Sequence, residues 1–174
     1  RWRGSLSYLE KTTIELPIND WTGLSDNQQF FVEAFSLNGR DDESTVDNKL
    51  FSTVKIPPVL PDEFLLKIKT NNFGRAKQNT YEIKDYSGNI LFSNYSLLDS
   101  TFYDIAISLD PGFYKFIFTD SNEDGIDRLW WKQKDSIGIK GELGLYNFDQ
   151  SIIKQYTPDF GQDIKMDFIV GPIP

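Results

Sequence analysis

The sequence predicts an all-β protein: a partial immunoglobulin-like sandwich followed by an eight-stranded, jelly-roll-like β-sandwich. Three observations carry this prediction. Aromatic residues make up 15% of the 174 residues, and much of that share is Phe and Tyr set into alternating runs, residue types that pack well on a pleated sheet. Wherever the apolar spacing is regular its period is two, and no stretch shows the helical period of about 3.6. Short apolar runs recur between turn residues, the spacing of a sandwich.

Taken in order, residues 1–57 read as a few strands. Ile14 and Leu16 share a face of a strand over 12–16. A second strand over 29–36 sets Phe30, Val32 and Ala34 on one face and Phe31, Glu33 and Phe35 on the other. Asn38-Gly39 opens a polar loop, and residues 49–56 return as a third strand. Trp2 and Trp21 are candidate core anchors. Three or four strands are too few to close a sandwich. The chain is therefore expected to begin partway through an immunoglobulin-like domain whose first strands lie upstream. Phe31 and Phe35, or their partners, would then stand exposed and seek a partner chain by strand addition.

Pro57, Pro58 and Pro61 mark the boundary. Prolines at this density exclude a central strand and make a stiff, extended connection, so residues 58–61 are expected to link the two parts. Residues 62–174 form the second sandwich. Phe64, Leu66 and Ile68 face inward from 63–69. Strands over 80–84 and 89–92 flank Asp85-Tyr86-Ser87-Gly88, a hairpin by its turn residues. Tyr103, Ile105, Ile107 and Leu109 share a face of 102–109. Asp110-Pro111-Gly112 then turns into a strand over 112–119 with Tyr114, Phe116 and Phe118 on one face. Strands over 137–146 and 151–156 follow, and the last carries Ile164, Met166, Phe168 and Val170. A domain of this size buries enough core without disulfides.

The strand over 112–119 runs into DSNEDGID. Asp120, Asn122 and Asp124 place oxygen ligands at alternate positions, and Gly125 stands sixth, the first half of a D-x-[DN]-x-[DN]-G calcium loop. A hard cation takes six to eight oxygens, and the glycine permits the sharp turn that aims the Ile126 carbonyl inward. Asp127 adds a further carboxylate. The helix-flanked version of such a loop ends in Glu at its twelfth position, where this chain has Trp131, so the expected site is strand-borne. The carboxylates of Asp120, Asp124 and Asp127, with Glu123 among them, repel one another unless something positive sits between them. The expected charge is calcium in a structural role. Arg128, paired with Asp124 or Asp127, is the metal-free alternative.

Trp130 and Trp131 close the loop. Neighbours on a strand point to opposite faces, so one reading makes them a platform for a sugar or peptide, and the other makes one a core anchor and one a lid over the loop. Cysteine and histidine are both absent, which removes thiol catalysis, disulfides, histidine-based zinc sites and a Ser-His-Asp triad. Catalysis on this chain rests on carboxylates, Tyr or Lys. Crowded carboxylates beside a turn glycine look more like ligands than an acid and a base held in different environments. The net charge of −8 argues against nucleic acid and anionic membrane as partners, and no apolar run approaches the length of a membrane helix.

The second half resembles a module of secreted and surface proteins of Bacteroidetes bacteria. The resemblance rests on Lys69-Thr70-Asn71-Asn72, on Tyr81-Glu82-Ile83-Lys84-Asp85-Tyr86-Ser87-Gly88-Asn89, on Gly112-Phe113-Tyr114-Lys115-Phe116 followed by Asp120-Ser121-Asn122-Glu123-Asp124-Gly125-Ile126, and on Phe160-Gly161. Trp2-Arg3-Gly4-Ser5-Leu6 and Asp47-Asn48 look like the end of the immunoglobulin-like domain that often precedes it. The pairing is similar to the C-terminal region of an outer-membrane lipoprotein family named for a twenty-eight-kilodalton member, and to tails of secreted peptidases. Asn71 replaces a usual Asp, and Asn122-Glu123 stands where a glycine is usual. The resemblance implies a non-enzymatic module, secreted or on the outer-membrane surface. It would bind a protein or glycan on the cell exterior, or the upstream domain of the same protein. The alternative is an accessory or catalytic jelly roll of a secreted hydrolase or peptidase.

Overall fold

The computed structural model describes residues 4–5, 7, 10–13, 27–35, 46, 48–53, 55–72, 74–127 and 138–171. The chain divides into two compact units, Arg1–Ile56 and Pro57–Pro174. Within the first, the described residues form one antiparallel pair, β1 (Gln29–Glu33) and β2 (Lys49–Thr53). Phe31 lies opposite Phe51 with ring centroids 6.1 Å apart, and Glu33 lies opposite Lys49 in a 3.1 Å ion pair. Both strands are shorter than the sequence predicts. Phe31, Phe35, Leu50 and Phe51 are exposed. Ile14, Leu16, Trp2 and Trp21 lie outside the described residues.

The second unit is a β-sandwich. Its strands are β3 (Val59–Leu60), β4 (Glu63–Lys69), β5 (Asn79–Asp85), β6 (Ile90–Asn94), β7 (Phe102–Ser108), β8 (Gly112–Asp120), β9 (Glu142–Tyr146), β10 (Ile152–Tyr156) and β11 (Asp163–Val170). One sheet has the order β10-β9-β4-β7, the other β3-β11-β8-β5-β6. Every pairing is antiparallel except β3 with β11. From β4 onward only β5–β6 and β9–β10 are hairpins; each other connection crosses between the sheets, so sequence neighbours face one another across the core. A single turn of 3-10 helix, Ala76–Gln78, precedes β5.

Alternation places the core where the period-two pattern puts it. Phe64, Leu66 and Ile68 of β4 are fully buried, as are Ile83 of β5, Ile107 of β7, Phe116 and Phe118 of β8, and Phe168 of β11. Phe64 meets Phe168 edge-on at 6.0 Å, Phe118 meets Phe160 edge-on at 5.6 Å, and Phe116 packs on Tyr156 at 5.8 Å. Offset and edge-on pairs are the geometries aromatic quadrupoles favour.

Two elements differ from expectation. Residues 58–61, expected as linker alone, contribute β3: Val59 and Leu60 run parallel to the end of β11, and Leu60 is buried. Proline is compatible with this because β3 is an edge strand, and the Pro58 carbonyl still accepts the Ile169 N–H at 2.9 Å. Ile169, out of phase with Phe168, is buried as well. β9 begins at Glu142 rather than 137, and the Gly141 N–H just before it goes to the acidic loop instead of a sheet neighbour.

Candidate functional site

The acidic loop begins where β8 ends. Asp120 stays in the inward phase of β8 and is buried. Its carboxylate accepts the N–H of Asn122 at 3.2 Å and of Asp124 at 2.9 Å, which turns the chain back on itself as Asp side chains do in turns. Burial pushes this carboxyl above the ordinary Asp range; the Asn122 amide opposes the shift and the neighbouring Asp124 carboxylate reinforces it. Glu123 and Gly125 both take positive φ, 61° and 66°. A Cβ on Gly125 would collide with the Pro158 carbonyl oxygen, so glycine is required there twice over, by φ and by space.

Ile126 then bonds on both sides. Its N–H donates to the Pro158 carbonyl at 2.8 Å, and its carbonyl accepts the Gly141 N–H at 2.8 Å. Its side chain is fully buried. Gly141 lies so close that any Cβ would strike Ile126.

Among the described residues, the positive charge placed at this loop is that of Arg75. Its Nη2 lies 2.7 Å from Asp124 Oδ2, and its Nη1 donates to the Asp127 carbonyl at 3.0 Å. The side chain is 9% exposed. Its backbone is held from both directions. Asp99 accepts the N–H groups of Gly74 and Ala76, and the Arg75 carbonyl accepts the Gln78 N–H at 3.0 Å and the Asn79 amide at 3.1 Å. Asn79 is the register partner of Asp120 across β5 and β8. The pairing of those strands thus brings the turn that carries Arg75 beside the acidic loop.

The expected calcium ligands divide accordingly. Asp120 orders the turn, Asn122 is exposed, Asp124 pairs with Arg75, the Ile126 carbonyl faces Gly141, and the Asp127 carbonyl faces Arg75. Among the described residues, no group of three or more His, Cys, Asp or Glu side chains is placed to hold a metal ion. Asn71 is buried, its carbonyl accepts the Ser100 N–H at 2.8 Å, and its side-chain amide has no hydrogen-bond partner among the described residues. Arg128, Trp130 and Trp131 lie outside the described residues.

At the other end of β8 an open groove of about 590 Å³ crosses the outer face of the five-stranded sheet, lined in part by Pro57, Lys84, Tyr86, Phe113, Lys115 and Asp167. Tyr86 is 89% exposed and Phe113 41%. The hairpin carrying Tyr86 is tightly held: the Asp85 carboxylate accepts the Asn89 N–H and the Asn89 side-chain amide, each at 2.8 Å, and Gly88 takes φ 87°. The Asn89 side chain, above all, holds the Asp85 carboxyl below its ordinary value. On the groove floor Lys84 lies opposite Lys115, a repulsive arrangement. Each is compensated sideways, Lys84 by Glu82 at 2.6 Å and Lys115 by Asp167 at 3.3 Å.

Reading the sequence missed Arg75, Asp99 and Asn79, because nothing local links them to a loop twenty to fifty residues on. Tyr86 did carry a signal, as an aromatic in an otherwise polar turn. Compared with known proteins, the chain matches no family model, no curated protein and no solved structure.

Proposed function

We propose that this chain is a non-enzymatic β-sandwich module of a secreted or outer-membrane surface protein, which binds a glycan or a protein through the outer face of its five-stranded sheet. The observation that carries this reading is the groove at Tyr86. A ring left 89% exposed on a hairpin already held by Asp85 and Asn89 loses little freedom when a partner covers it, so its contact area converts efficiently into affinity. The floor of paired Lys and carboxylate groups offers hydrogen bonds without net repulsion of a neutral ligand. The exterior location rests on the resemblance drawn from the motifs.

A catalytic role for the loop carboxylates is less well supported. Asp124 is committed to Arg75 and Asp120 to two amides, so neither of these two carboxylates is free to serve as an acid or a base. Glycan-array and cell-surface protein binding of the wild type and of Tyr86→Ala test the proposal. We expect the variant to bind about tenfold more weakly with an unchanged melting temperature. Equal binding by both forms, or binding by neither, overturns it.

A further inference from the structure

We infer that Arg75 is the resident cation of the acidic loop, so that a turn with calcium-loop spacing is closed by the chain itself and needs no metal ion. The loop's need for positive charge is intrinsic, because Asp120, Glu123, Asp124 and Asp127 fall within eight residues and repel one another. The guanidinium meets that need in a way a sequence motif cannot show. One of its nitrogens reaches the Asp124 carboxylate at 2.7 Å and another the Asp127 carbonyl at 3.0 Å. It thereby spans the fifth and eighth positions of the loop, as its planar fork allows. The Ile126 carbonyl, the backbone ligand expected from the spacing, is turned to the Gly141 N–H, and the Ile126 N–H is bonded to Pro158. Re-aiming that carbonyl inward would break a bond and move a fully buried side chain. A calcium ion at Asp124 would in addition displace a guanidinium that is itself nearly buried, leaving that charge without its carboxylate.

Arg75 is also built to stay. Asp99 binds the amides on either side of it, and Asn79 binds its carbonyl. The clamp therefore ties three separate stretches together: the turn before β5, the segment before β7 and the loop after β8.

Thermal unfolding of the wild type, Arg75→Met and Arg75→Lys tests this, each in about 5 mM calcium, above the dissociation constants usual for extracellular calcium modules, and in excess chelator. We expect the wild-type midpoint to be the same in both. Arg75→Met, which keeps the length and loses the charge, should melt about 5–10 °C lower. Arg75→Lys keeps the charge but has no fork with which to reach both oxygens, and should fall between. A wild-type midpoint several degrees higher in calcium overturns the inference, as does an Arg75→Met protein that melts with the wild type. If Arg75→Met does not fold, the two wild-type arms and Arg75→Lys decide it.

Discussion

The two ends of β8 solve opposite problems. At Asp120 the strand ends in a closed polar knot, where carboxylates, amides, carbonyls and one guanidinium bond to one another. At Gly112 it begins beneath an open groove, where Tyr86 and Phe113 face solvent. Between them Phe116 and Phe118 are buried against the opposite sheet. Polar groups bonded within the chain hold the fold and have little left to offer a ligand. Exposed rings on a rigid hairpin do the reverse. Acidic residues thus mark the closed end of the strand, and the open end, where binding is proposed, is marked by aromatic residues among compensated charges.

The comparison breaks most severely through the middle. Phe116→Ala removes a ring that packs on Tyr156 and should cost about 3–5 kcal/mol, measured by denaturant unfolding. Both ends should then fail together, with groove binding lost over the same denaturant range as the fold. Gly125→Ala strikes the closed end alone. With φ at 66° and the Pro158 carbonyl in the way, we expect a loss of about 2 kcal/mol, with binding at the groove intact below the midpoint.

Asp120→Asn sharpens the contrast through pH. The native Asp120 carboxyl is raised above its ordinary value by burial and by Asp124, so its contribution to stability is fully present below the ordinary Asp range of about 4 and is lost as pH rises through the raised value. Asparagine does not titrate. The difference in melting temperature, wild type minus variant, should therefore decline as pH rises from about 4 towards neutrality. A difference that grows over that range would mean that the carboxyl is held ionised instead, against the effect of burial. The smallest stability effect belongs to the open end. Tyr86→Ala touches no buried group and should stay within about 0.5 kcal/mol of the wild type, while losing binding.

Much of the fold was readable from the chain. The period-two runs located every main strand of the second unit to within a few residues, because alternation is local and one buried face enforces it. β3 was hidden by its prolines, since an edge position rescues residues that a central one forbids. The start of β9 was overextended because the Gly141 amide belongs to the acidic loop, a contact with Ile126 fifteen residues earlier.

By itself the sequence determined which residues alternate, where the turns fall and that the loop after β8 must find positive charge, because each of these follows from neighbours along the chain. It could not determine where that charge comes from. Arg128 is the nearest cation along the chain and lies outside the described residues, whereas Arg75, far away in sequence, is paired with Asp124. Only the tertiary structure decided this: the antiparallel register of β5 and β8 sets Asn79 opposite Asp120, and the turn just before Asn79 then delivers a guanidinium from some fifty residues upstream.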